Sequence, residues 1–228
     1  MADHGLQPTP QAPKDRARAR RIYAKLKATY PDARCDLTHD SPFQLLAATI
    51  LSAQCLDATV NRATPALFAR FPDAAAMAAA EPEEVEPYVK SCGFYRNKAK
   101  SLVGAARVIV SDFGGEVPDR MEDLLRVPGA ARKTANVVMG NAFDKPVGVT
   151  VDTHVGRISV RLGFVEAHPK NAVAIERDLA GLLPRKEWTH FSHVMIWHGR
   201  AVCRSQNPRC GQCVVKRSCP KVGVEPAP

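Results

Sequence analysis

The sequence predicts an all-α fold, and three observations predict it. Aromatic residues make up only 6% of the 228, while apolar residues reach 45% with alanine frequent. That mix supplies a core and favours helix over sheet. Helix start and stop signals recur at short intervals, and almost nothing reads as strand.

Taken in order, residues 16–30 form a basic helix with Ile22, Leu26 and Tyr30 on one side. Asp40-Ser41-Pro42 is a strong start signal, with Ser41 capping and Pro42 at the first helical position. The run 43–51 is nearly all apolar, so that helix is buried on most sides. Asp57 can cap the next helix, which meets Pro65. A short alanine-rich helix follows Pro72, and Pro82 opens another that Gly93 closes. Residues 95–113 read as a long helix ended by Gly114-Gly115. A short helix at 120–126 precedes a tight turn and a helix over 132–143. The stretch 147–151 (VGVTV) is apolar and strand-like, and helices over 152–162, 171–183 and 188–200 complete the set.

The formal net charge of +9 suggests a polyanionic partner, for which nucleic acid is the usual candidate. No apolar run is long enough to span a membrane, and the polar, proline-bearing N-terminus has no leader character. Residues 1–15 read as a flexible tail, and the expected location is the cytoplasm. Nothing in the pattern suggests an oligomer interface, so a monomer is expected.

Of seven cysteines, Cys35, Cys55 and Cys92 are scattered, while Cys203, Cys210, Cys213 and Cys219 crowd one short segment. An odd total without a secretion signal argues against a disulfide framework and for a metal site. The C-x6-C-x2-C-x5-C spacing admits a tetrahedral zinc ion or the corners of a [4Fe–4S] cluster. Only one short knuckle is present, and the wider outer spacing suits the larger cubane. With four positions filled, the centre is structural. Arg200, Arg204, Arg209, Lys216, Arg217 and Lys221 make the segment a cationic projection suited to phosphate.

The segment LLRVPGAARKTA (residues 124–135) reads as helix, Pro128-Gly129 turn, helix: a helix–hairpin–helix. The start of its second helix exposes backbone N–H groups able to hold a phosphate without reading sequence. Lys133 lies in that first turn. It is either one more phosphate contact or an amine nucleophile, which must be neutral to react. The positive helix end, partial burial and neighbouring Arg132 would all disfavour the ammonium. Asp152 follows the apolar stretch and opens a helix. It reads as an N-cap, and a capping carboxylate can also face a developing positive charge.

VPGAARKTANVV (residues 127–138), VDTH (151–154), LSAQ (51–54) and the cysteine segment together resemble the endonuclease III family of DNA glycosylases, over about residues 20–221. The resemblance implies two helical lobes with a DNA-binding cleft between them. One lobe is residues 35–145 with the helix–hairpin–helix. The other joins 16–34 to 146–228 and carries the metal centre. It implies a [4Fe–4S] cluster on Cys203, Cys210, Cys213 and Cys219, and damaged double-stranded DNA as partner. It implies a bifunctional glycosylase and abasic-site lyase that removes oxidised pyrimidines, with Lys133 forming a Schiff base and Asp152 stabilising charge on the sugar. Gln54 would fill the gap left by the flipped nucleotide, Phe94 would press on the duplex, and Gly129, Ala131 and Arg132 would meet phosphate. His154 would order the DNA-facing site around Asp152, and Asp57 would sit beside the pocket.

Three positions depart from the family pattern. Ala131 replaces the second glycine of P-G-x-G, which would be strained if its φ were positive. Phe94 replaces an aliphatic wedge, and Cys55 stands where a small residue is usual. These departures keep two alternatives: a lesion-binding paralogue with weak catalysis, or a monofunctional glycosylase. The monofunctional enzymes typically lack the lysine, and the adenine-specific ones add a domain beyond a point such as Pro228. A zinc-binding transcription factor would be colourless.

Overall fold

The computed structural model describes residues 6–224. Among them there are eleven α-helices and three 3-10 turns, with no strand. The chain divides into two compact units, Cys35–Lys145 and the flanking segments up to Arg34 and from Pro146.

The central unit holds α2 (Pro42–Leu51), α3 (Asp57–Arg70), α4 (Ala74–Ala78), α5 (Pro82–Val89), α6 (Tyr95–Phe113), α7 (Met121–Leu124) and α8 (Arg132–Ala142). Ser41 caps α2, its hydroxyl accepting from the Gln44 N–H at 3.2 Å, and Pro42 fills the first helical position. Every α2 residue from Leu45 to Leu51 is buried, so this helix is wrapped on all sides. It packs on α3, α6 and α8. Along α6 the buried residues Ala99, Leu102, Val103, Ala106 and Ile109 follow helical spacing and form one face, against which α4 and α5 lie. Each fully buried leucine or isoleucine there contributes roughly 1.5–3 kcal/mol. Helix α6 stops at Gly114, where φ is +64°, and the Gly115 N–H returns to the Ile109 carbonyl at 3.0 Å.

The second unit holds α1 (Pro13–Thr29), α9 (Thr153–Arg161), α10 (Ala172–Leu182) and α11 (Trp188–Ala201). Helix α11 packs on α1 and α9, and α10 on α1 and α9. Ile22, Leu26, Val155, Ile158, Leu179, Phe191 and Val194 meet in their shared core. Tyr30, expected on the apolar side of the first helix, is its C-cap.

Several sequence expectations need correction. The stretch 147–151 is not a strand: it has no partner strand, and it lies buried as an extended link into α9. Its apolar content reflects passage through a core. Asp57 does not cap α3, because Leu56 holds that position and Asp57 is already helical. Of the expected flexible tail, residues 1–5 lie outside the described residues. From Leu6 the segment is docked: Leu6 is buried, and the Thr9 N–H donates to the Arg177 carbonyl at 3.1 Å.

Candidate active site and cysteine centre

In the central unit, α7 ends in a turn at Pro128-Gly129 and α8 begins three residues later. Gly129 has φ +80°, and a Cβ there would sit 3.2 Å from Ile50 of α2. Glycine is therefore required twice, by conformation and by close approach. Ala131 has φ −61° and ψ 165°, ordinary extended backbone. The strain that a positive φ would have imposed is absent, so the second glycine is not needed to shape this turn. No side chain caps α8, so its first N–H groups keep their capacity for an anion. Arg132 is half-buried in this turn, while Lys133 is exposed. The partial burial expected of Lys133 is not found; the side chain projects from the uncapped helix start into solvent.

The same unit presents three exposed non-glycine residues in left-handed backbone, Gln54, Phe94 and Asp144, of which the first two lie in segments singled out by the sequence. Gln54, in the loop after α2, has φ +52°, and Phe94, at the start of α6, has φ +47°. Such conformations cost non-glycine residues on the order of 1–3 kcal/mol and persist where surrounding structure fixes them. Phe94 is 65% exposed. Leu56, two residues beyond Gln54, is 77% exposed, more so than any other large apolar side chain described.

In the second unit, Asp152 caps α9, its Oδ1 accepting from the Val155 N–H at 2.8 Å. The carboxylate is half-buried. His154, two residues on, is held from two sides. Its Nδ1 meets the Arg157 guanidinium at 3.1 Å, and its ring lies so close to Gly199 of α11 that a Cβ there would approach Nδ1 to 2.5 Å. Asp152 and His154 thus sit in one rigid first turn.

Cys203, Cys210, Cys213 and Cys219 line a single pocket, with Ile158, Leu162, Val202 and Val215 supplying apolar walls. Burial raises the Cys213 and Cys219 thiols above the ordinary range, and the charges of their neighbouring cysteines raise them further. Three arginines brace the loop through its carbonyls. Arg161 donates to the Arg204 carbonyl at 2.5 Å and the Ser205 carbonyl at 2.9 Å, and approaches the Cys203 sulfur at 3.5 Å. Arg157 donates to the Cys203 carbonyl at 2.9 Å, and Arg18 of α1 to the Ser218 carbonyl at 3.0 Å. Beneath the loop, His198 is buried, with Nε2 3.6 Å from the Cys213 sulfur and Nδ1 3.1 Å from the Tyr30 hydroxyl. Desolvation lowers its pKa to about 4, so it is a neutral ring.

Residues 47–185 match the model of the HhH-GPD superfamily of base excision DNA repair proteins. The chain belongs to that superfamily. The matched HhH-GPD segment takes in Lys133 and Asp152 and ends before Cys203. Endonuclease III of Synechocystis sp. is 54% identical over 203 residues, covering 89% of this chain and 92% of its own. Endonuclease III of Bacillus subtilis is 41% identical over 195 residues, covering 86% and 88%. A solved structure of endonuclease III trapped as a covalent intermediate with DNA, in an estranged-adenine complex, superposes with a TM-score of 0.84 at 39% identity. It covers 90% of this chain and 96% of that one. This HhH-GPD protein is a DNA glycosylase of base excision repair with an associated lyase activity.

Sequence reasoning missed the bracing arginines, His198 and Leu56. The arginines were hidden in a generally basic composition, because a guanidinium directed at carbonyls looks the same in sequence as one directed at solvent. Leu56 could have been suspected as a leucine placed between Gln54 and a helix start, where it has no helical face to join.

Proposed function

We propose that the protein excises oxidised pyrimidines from double-stranded DNA through Lys133 and then cuts the strand. The observation that carries the reading is Lys133 itself: an exposed amine in the first turn of an uncapped helix, directly after a glycine-dependent hairpin. The damaged nucleotide leaves the stack, and its sugar C1′ is presented to the neutral amine. The Lys133 nitrogen bonds to C1′, the base departs, and opening of the sugar gives a Schiff base. Loss of a C2′ proton then drives β-elimination of the 3′ phosphate. The neutral amine would be favoured by substrate closing over an otherwise hydrated side chain.

Asp152 offers a carboxylate fixed by its cap bond to the positive charge that develops on the sugar, or accepts the proton from the amine. His154 orients that first turn through Arg157. The N–H groups following Gly129, at Ala131 and Arg132, hold a backbone phosphate. Gln54 fills the gap left by the extruded nucleotide, and Phe94 stacks against the neighbouring pair.

Cys203, Cys210, Cys213 and Cys219 fit a [4Fe–4S] cluster. All four line one pocket, and the wide spacing of the outer two along the chain suits a centre larger than a single ion. When bound, the cluster supplies a rigid crosslink to its loop, and Arg157 and Arg161 add positive charge that favours the thiolates. The protein acts as a monomer, in the cytoplasm where its DNA lies.

Borohydride trapping on duplex DNA with an abasic site tests the reading. Wild type should give a covalent adduct, and Lys133→Gln should lose it together with at least about a thousandfold of strand cleavage. Melting temperature should not change, because the side chain is exposed. A wild type that binds the duplex without forming an adduct would support a lesion-binding protein instead. Purified protein should be brown and contain iron and sulfide; a colourless zinc protein would overturn the cluster assignment.

A further inference from the structure

One buried side chain engages two of the four pocket cysteines, and the excision chemistry has no use for it. His198 of α11 is 2% exposed and lines the pocket together with Cys203, Cys210, Cys213 and Cys219. Its backbone carbonyl accepts the Val202 and Cys203 N–H groups, each at 2.9 Å. Its ring reaches a second cysteine, with Nε2 3.6 Å from the Cys213 sulfur. Nδ1 lies 3.1 Å from the hydroxyl of Tyr30, the C-cap of α1. The two rings stand edge to face with centroids 5.7 Å apart. The next residue, Gly199, has no room for a Cβ against His154, so α11 is fixed against α9 at this point.

These contacts decide which nitrogen carries the ring proton once Cys213 is a ligand. A ligated cysteine is a thiolate, and its sulfur can only accept. A bare Nε2 would set its lone pair against that sulfur. The Tyr30 hydroxyl can donate to Nδ1, which leaves the ring proton on Nε2 and directed at the sulfur. Ile158, Leu162, Val202 and Val215 border the same pocket, and in such apolar surroundings one fixed donor acts more strongly than it would at the surface.

We propose that Tyr30 and His198 form a relay that donates a hydrogen bond to the Cys213 sulfur and raises the reduction potential of the bound cluster. This rests on the four-cysteine cluster proposed above. Reduction adds one electron to the cluster and increases the negative charge on its sulfurs. No bond forms or breaks in that step, and the proton stays on Nε2. An N–H dipole held at the sulfur stabilises the more negative state more, so the bond shifts the equilibrium towards reduction.

The test uses full-length, cluster-loaded protein. An electrode supplies the electron, the potential is read by spectroelectrochemical titration, and the Fe–S stretching modes are read by resonance Raman in H2O and D2O. His198→Leu removes the donor, His198→Gln keeps an amide N–H at about the reach of Nε2, and Tyr30→Phe removes only the hydroxyl. At a fixed potential, His198→Leu should lower the ratio of reduced to oxidised protein about tenfold, which is about 59 mV for one electron. The deuterium shift of the Fe–S modes should shrink with it. Tyr30→Phe should move the potential the same way by less, and His198→Gln should recover most of the wild-type value. An unchanged potential in His198→Leu overturns the proposal. Should that variant lose its iron, Tyr30→Phe decides, and an unchanged potential there overturns the proposal equally. A fall in His198→Gln as large as in His198→Leu also overturns it, because packing alone would then explain the effect. A wild type that holds zinc overturns the cluster assignment and this proposal with it, whereas a loaded wild type with insensitive variants overturns this proposal alone.

Discussion

In the hairpin of the central unit the chain turns on backbone geometry, with Gly129 at φ +80° pressed against Ile50 and Ala131 relaxed at φ −61°. In the cysteine loop of the other unit the backbone is equally irregular, but it is held by long side chains: Arg18, Arg157 and Arg161 spend their donors on its carbonyls. The hairpin needs the absence of a side chain at one point. The loop needs the presence of several, drawn from helices distant in sequence. The hairpin therefore leaves its neighbouring backbone N–H groups open to a partner, whereas the loop consumes its carbonyls internally and turns its four sulfurs into one pocket.

That contrast predicts unequal sensitivity to substitution. The largest effect should come from Arg161→Leu. Arg161 is only 9% exposed, and its loss would leave the Arg204 and Ser205 carbonyls without their donor. Stability should fall by about 3 kcal/mol or more, with reduced iron per chain, read from denaturant midpoints and metal analysis. A variant with full metal content and an unchanged midpoint would show that the bound group, not the arginines, holds the loop. Gly129→Ala should cost about 2 kcal/mol from the positive φ and the contact with Ile50, with weaker binding to abasic-site duplex. Metal content should remain full, because the damage lies in the central unit. The smallest effect belongs to Ala131→Gly: at this N-cap position the greater freedom of the unfolded glycine and its better capping oppose each other. The midpoint should move by less than about 0.5 kcal/mol. A larger loss would show that Ala131 supports the turn through contacts and not merely tolerates it.

The same contrast explains what could be read from the sequence. Local devices were legible: Ser41 before Pro42, the glycines after Phe113, and the Pro128-Gly129 turn each act within a few residues. That Cys203, Cys210, Cys213 and Cys219 come together was legible because they fall within one short segment, and they line one pocket. Features joining distant segments were not. The burial of 147–151 depends on what packs around it, so its composition resembled a strand. The contacts of His198 with both Tyr30 and Cys213 exist only once helices have packed. Lys133 was assigned from its position in a helix, which the structure matches, and from a partial burial that it does not have.

The order of the units along the chain carries a consequence for synthesis. Cys35–Lys145 is contiguous, so it can bury its core as soon as it has emerged from the ribosome. Helix α1 is made earlier but packs on α10 and α11, so it waits through the whole central unit for its partners. The four cysteines come later still, after Cys203. Loading of the proposed cluster would therefore be a late event in the life of each molecule, and a cell short of iron would accumulate chains in which Lys133 is already folded while the second unit still awaits completion.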